Sequence, residues 1–219
     1  MGRKIALGCM GLIVLVLVAG GFFVYSFVYR PFQVFLGTLE EIHAANEQIE
    51  NQEPYTPPTD GELTEEQVAR FVAVQNELKA GLEGKLAELE EKYEDVGEEW
   101  QERDPTFREV LQAAQEAMRL YADAKRMQVE ALNRENFSLA EYHFVRGAFY
   151  RSLGHELFGY NLDQLAELAS EGELGMNLSQ LEKVREQPRE AEVPEKNRQL
   201  VAPYAEQAED WLVFAWFGL

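Results

Sequence analysis

The chain is poor in the residues that most chemistry needs. Its 219 residues include one cysteine, Cys9, so neither an internal disulfide nor a cluster of thiolate metal ligands can form within one chain. Its three histidines are scattered. Glu40 and His43 have the i, i+3 spacing of half a di-iron carboxylate site, but neither His143 nor His155 follows a Glu by three positions. His155-Glu156 opens like a zinc-protease motif, yet Gly159 stands where the second histidine is needed. A solvated helix face accounts for the first pair, and a hydrogen-bonded core or edge histidine for His155. Gly81-Leu82-Glu83-Gly84-Lys85 is too short for a phosphate loop, and no nucleophile elbow or calcium loop is present. These absences predict no catalytic residue, no metal and no cofactor.

Basic residues are scarce as well. There are 20 Lys and Arg against 39 Asp and Glu, a formal charge of −19. Without residues 1–29 the balance is 18 against 39, or −21. Such an excess repels nucleic acid and anionic lipid headgroups, coats solvated helix faces, and favours a basic partner at long range.

Against this polar background stands one long apolar stretch, Ile5 to Tyr29, with no charge in it. At about 1.5 Å per residue it is long enough to cross a hydrocarbon core as one helix. Cleavage near Gly20 and lipid attachment at Cys9 are the alternatives to a retained anchor. The stretch stays apolar past Gly20, and Cys9 has too little apolar chain before it to serve as a lipoprotein signal. Arg3 and Lys4 precede the stretch, whereas no Lys or Arg follows Arg30 until Arg70, and nine acids intervene. Flanks rich in Lys and Arg stay cytoplasmic. The expectation is a bacterial inner-membrane protein with residues 1–4 cytoplasmic, 5–29 in the bilayer and the remainder periplasmic.

The remainder reads as all-α. Residues 30–50 keep helical spacing through Phe32, Phe35, Leu36, Leu39, Ile42 and Ile49, as a juxtamembrane stalk or docking helix. Residues 51–61, with three prolines and a glycine, read as an extended linker and domain boundary. From 62 to 219 the pattern predicts an elongated antiparallel helical bundle. Thr64 and Gln67 form a capping box that opens a helix to about Trp100. Asp104 is the expected cap, and Pro105 the first-turn residue, of a second helix over 105–135. Its inner stripe is Phe107, Leu111, Ala114, Met118, Tyr121, Ala124, Val129 and Leu132. Ser138 and Glu141 open a third helix, apolar on two faces and therefore central, which runs to about Tyr160 and continues to Ala169. Loop 170–176, a short helix over 177–186 and an acidic connector over 186–195 follow. Pro203 opens the last helix, which ends in the apolar run Trp211 to Leu219. That run either packs back into the bundle or docks on a partner or membrane surface.

Two segments, LTEEQVARFVAVQ at 63–75 and SLAEYHFVRGAFY at 138–150, resemble recurring signatures of uncharacterised bacterial envelope proteins that pair a membrane or lipid anchor with a helical domain. The resemblance covers about 63–217 and implies a location rather than an activity.

The candidate interaction residues are Phe32 and Phe35 beside the membrane, Arg70 and Arg146 next to aromatics on two facing helices, and Trp211, Phe214, Trp216 and Phe217 in the tail. The two arginines either pair with carboxylates inside the bundle or meet an anionic ligand. The expected function is a non-catalytic, membrane-anchored accessory subunit whose partner is a membrane-protein complex or a basic-surfaced periplasmic protein. The alternative is a periplasmic binding or chaperone-like module that holds an apolar ligand or client chain.

Overall fold

A computed structural model describes residues 30–155, 163, 167, 193–216 and 218–219. The expected membrane segment 5–29, the loop over 170–176 and the short helix over 177–186 lie outside the described residues. Among those residues every regular element is helical, and no helix is long and apolar enough to cross a membrane. Among the described residues the α-helices with both ends described are α1 Arg30–Asn46, α2 Glu65–Glu102, α3 Phe107–Arg134, α4 Leu139–Ser152, α5 Glu195–Val201 and α6 Ala205–Trp216. The expected all-α class is therefore present.

Local chemistry sets most of the boundaries. The Thr64 hydroxyl accepts the Gln67 N–H at 3.1 Å and the Gln67 side chain accepts the Thr64 N–H at 3.1 Å, the reciprocal box that starts α2. α2 and α3 form the long hairpin. The cap of α3 is Thr106, which exchanges hydrogen bonds with Glu109, and not Asp104 as expected. Pro105 precedes the cap, where its fixed φ costs nothing and its missing N–H is not needed. Asn136, at φ 53°, closes α3 by sending the Phe137 N–H back to the Leu132 carbonyl at 2.9 Å. Gly154, at φ 84°, closes α4 the same way, with the His155 N–H on the Tyr150 carbonyl at 2.9 Å. The helix expected to continue to Tyr160 therefore stops at Ser152, because only a left-handed residue was needed to end it. Asp163 and Glu167, within the continuation expected to reach Ala169, are helical, and the last helical stretch starts earlier than expected. Glu195 starts α5, and Pro203 sits in the 3-10 turn Ala202–Tyr204 between α5 and α6.

The core gathers every described helix. Leu39, Ile42, Ala45 and Ile49 of the α1 segment, Phe71, Val74, Leu78 and Leu82 of α2, Val129, Ala131 and Leu132 of α3, and Val145 and Phe149 of α4 form one buried cluster. α1 packs mainly on α3. Residues 51–61 therefore do not separate two bodies. They form a strap: the Glu50 N–H donates to Asn133 Oδ1 at 2.8 Å, Asn51 Nδ2 donates to the Asn136 carbonyl at 2.9 Å, and Tyr55 stacks on Phe144 with ring centroids 5.5 Å apart.

The carboxyl-terminal run packs inward. Trp211 and Phe214 are 1% and 5% exposed, and Gly218, at φ 88°, returns the Leu219 N–H to the Phe214 carbonyl. Burying that indole and that phenyl ring takes part of the apolar surface of the run out of water, while Val213 stays exposed.

Candidate functional site

Along one face of α3 run Met118, Tyr121, Lys125, Gln128 and Leu132, steps of 3, 4, 3 and 4. Two of the five are polar, and both are fully buried. Lys125 Nζ lies 2.6 Å from Asp163 Oδ1 and donates to Gln128 Oε1 at 2.7 Å. Asp163 also accepts from Asn46 Nδ2 of α1 at 2.9 Å and lies 3.1 Å from His143 Nε2 of α4. Gln128 Nε2 in turn donates to the Gly218 carbonyl at 3.2 Å, and Gln75 Nε2 donates to the Tyr142 hydroxyl at 2.7 Å. A polar layer thus crosses the interior and touches α1, α2, α3, α4 and the tail.

Its electrostatics follow from enclosure. Burial alone would raise the Asp163 carboxyl, but the Lys125 ammonium and the bond to His143 outweigh it and hold it far below the usual carboxylate range. Burial pushes Lys125 down, with Asp163 opposing. Burial likewise pushes the Tyr142 hydroxyl up to about 12. At neutral pH the centre is therefore a carboxylate–ammonium pair, and such a pair is costly to form and more costly to half-remove. Lys125 has its acceptors within the protein and no open side, so it has no face for a substrate. His143, 24% exposed on its side chain, opens onto a cleft also lined by His43, Asn46, Gln52 and Ser138. No group of three or more His, Cys, Asp or Glu placed to hold a metal ion occurs among the described residues.

The sequence-predicted residues fall in three places. Arg70 is in the interior seam between α2 and the α3–α4 turn. Its Nε donates to the Glu135 carbonyl at 2.7 Å, its Nη2 lies 3.2 Å from Glu141 Oε2, and its guanidinium sits 3.8 Å over the Phe137 ring. Glu141 was expected to complete a capping box with Ser138. Ser138 does cap the Glu141 N–H, at 3.2 Å, but the Glu141 carboxylate turns to Arg70 and Gln67 instead. Arg146, 2% exposed, lies in the polar layer, where a Cβ built on Gly218 would stand 3.2 Å from its Nη1. The facing of these helices was legible: Phe71 meets Tyr142 at 5.6 Å and Phe149 at 4.8 Å between centroids. Trp211 and Phe214 are core residues and offer no surface to a partner. Phe32 and Phe35 lie on α1 and Trp216 ends α6, with their side chains outside the described set, and Phe217 lies outside the described residues.

Sequence reasoning missed Lys125, Gln128 and Asp163. The stripe predicted for α3 stepped from Ala124 to Val129 and passed over Lys125 and Gln128, although 121, 125, 128 and 132 keep a tighter 3–4 rhythm. Among known proteins, no family model, no curated protein and no solved structure matches the chain.

Proposed function

We propose that the protein is a non-catalytic accessory subunit, held in the bacterial inner membrane by residues 5–29, whose helical domain braces or recruits a partner on the periplasmic side. The observation that carries this reading is the seating of α1. It begins at Arg30, directly after the apolar stretch, and it is fixed to the rest of the bundle by Leu39, Ile42, Ala45 and the Asn46–Asp163 bond. The chain from Arg30 to Asn46 is one helix, so an anchor joined there would set the position of the whole domain. A subunit whose work is positional gains from that rigidity.

The partner surface we assign is the outer part of the α2–α3 hairpin. Residues 88–102 carry eight acids and one lysine, and no described residue from 83 to 120 is buried. A partner with a basic face suits it, and nucleic acid does not.

The test is purification of the tagged full-length protein from native membranes in mild detergent, with mass spectrometry of what stays bound. A reproducible, stoichiometric protein that is lost when Glu90, Glu91, Glu94 and Asp95 are changed to Lys supports the reading. A protein that comes out alone, or with apolar cargo and no partner, overturns it, and cargo would favour the binding-module alternative.

A further inference from the structure

α1 and α3 run side by side in the same direction. Glu41 lies 3.6 Å from Arg126, and the Asn133 amide donates to the Gln48 carbonyl at 3.0 Å. Each contact joins a residue of α1 to the α3 residue 85 positions later. The two helices rise equally per residue, so the same offset sets Arg30, where α1 begins, level with Gln115. The α2–α3 hairpin reaches further. Its tip, between Glu102 and Phe107, stands at least about 12 Å beyond that level.

One face of α3 shows where its cover ends. Gln128, Ala124, Tyr121, Ala117, Ala114 and Val110 follow one another at steps of 4, 3, 4, 3 and 4. The first three are buried and the last three are exposed, Val110 at 46%. Leu111 beside that stripe and Tyr93 on α2 are only half-buried. On the same offset, the open stretch 110–117 is level with residues 25–32. The chain that leads into Arg30 is well suited to cover it: of the eight residues Phe22 to Tyr29, seven are aromatic or valine. We infer that residues 22–29 dock on the open end of the α2–α3 hairpin, over Val110, Leu111 and Ala114, and that the bilayer begins near Gly20-Gly21.

Two arguments favour this occupant over hydrocarbon. An apolar face open to water and an apolar segment tethered beside it are both taken out of water by one contact. The second argument is positional. If hydrocarbon began at Tyr29 with α1 upright, the hairpin tip would be carried at least about 12 Å into the membrane. Residues 88–102 of that hairpin hold eight acids, and ionised side chains are costly in hydrocarbon. A bilayer that begins at Gly21, level with Thr106, clears the tip. Residues 5–21 remain for the span, and about 17 apolar residues are the fewest that cross a hydrocarbon core. Pro31 has no N–H for the Phe27 carbonyl, so the chain bends there and need not follow the axis of α1. Glu88 and Glu91, on the face of α2 opposite Leu86 and Tyr93, are exposed, so the acidic surface assigned to a partner stays free. The docking contact rests on the α1–α3 register and the open face of α3, whereas the place of the bilayer rests on the anchored reading under Proposed function.

Photo-crosslinking of the full-length protein in native membranes tests the contact, with Leu111→p-benzoylphenylalanine as the probe. The expected adduct joins position 111 to a peptide within 22–29 of the same molecule, and it should be lost when Phe27→Ser and Val28→Ser are added. Adducts only to lipid, to another protein or to residues 156–192, or none to 22–29, overturn the inference. Mixing with isotope-labelled protein reveals a segment supplied by a second copy, which overturns it as well. If the probe at Leu111 disturbs the hairpin, Phe27→p-benzoylphenylalanine decides: an adduct to peptides of 93–118 supports the docking, and one to acyl chains sinks it. Alkaline carbonate extraction reports on the anchor separately. A chain that washes off the membrane refutes the anchored reading and the place given to the bilayer, and leaves the adduct to decide the contact.

Discussion

The inner and outer parts of the α2–α3 hairpin are built from the same helices and the same kinds of side chain, yet they obey different physics. In the inner part Phe71, Leu78 and Leu82 of α2 and Ala124, Lys125, Gln128 and Leu132 of α3 are all buried. In the outer part, from 83 to 120, no described residue is buried, and the helices are joined by Lys85–Asp123 at its edge, Lys92–Glu116 and, near the tip, Arg103–Glu109. Both parts contain lysine–carboxylate pairs. Inside, the pair Lys125–Asp163 is enclosed by a core that makes each charge depend on the other. Outside, water competes for every partner. Hydrophobic seam and ionic seam meet near Gly81, where the Met127 side chain of α3 fills the space a Cβ would take, its Sδ 2.8 Å from that position.

The largest effect should come from breaking the enclosed pair. Lys125→Met leaves the Asp163 carboxylate buried without its ammonium, at a cost of about 3–5 kcal/mol. Urea unfolding of the full-length protein in detergent would show this as a large fall in midpoint. Lys125→Met combined with Asp163→Leu should recover most of the loss, because an apolar pair of similar volume needs no desolvation of charge. A double variant no better than the single one would mean that the layer is held by Gln128 and Tyr142 rather than by the ion pair.

A matched pair of leucines measures the same difference without charge. Leu78 and Leu86 lie two turns apart on one stripe of α2, the first fully buried and the second only partly. Leu78→Ala should cost about 2–5 kcal/mol through lost burial and an unfilled cavity. Leu86→Ala should cost about 1 kcal/mol, since the outer seam gives little burial to lose. Equal losses in thermal unfolding would show that the arm is buried by something outside the described residues.

That comparison also explains which parts of the fold could be read from the sequence. Leu78, Leu82 and Leu86 recur at helical spacing, so the length of α2 and its inner face were legible, as were the Thr64–Gln67 box and the Ser138 cap. The α3 cap fell on Thr106 because Asp104 and Pro105 offered an equally good local pattern, and only the position of Glu109 decides between them. The end of α4 at Gly154 was obscured by apolar residues that continue past it. Lys125 and Asp163 were illegible for a different reason. A lysine reads as a surface residue unless its partner is known, and Asp163 lies 38 positions away on another element. Nor does anything in Trp211 to Leu219 distinguish a tail that folds inward from one that binds a partner. The Gln128 amide on the Gly218 carbonyl is a long-range match that periodicity does not encode.

The smallest effect should come from the ionic seam. Lys92 Nζ lies 2.6 Å from Glu116, which also accepts from Tyr93 and Gln112, and these bonds hold the Glu116 carboxyl down to about 2. A depressed carboxylate contributes stability that is complete above the unfolded value of 4.5 and is lost as pH falls toward the folded one. This pair should therefore weaken only below pH 4.5. Because the pair is exposed, the stability at stake is small and screened by salt. Lys92→Ala should leave the unfolding midpoint within the scatter of replicate measurements, while the Glu116 carboxyl carbon, followed by NMR, titrates closer to 4.5. Adding salt to about 0.5 M should bring the wild-type Glu116 titration toward that of the variant. A Lys92→Ala protein that unfolds much earlier than wild type would show that the two seams are alike after all, and that the arm is held shut by charge as firmly as the core is by burial.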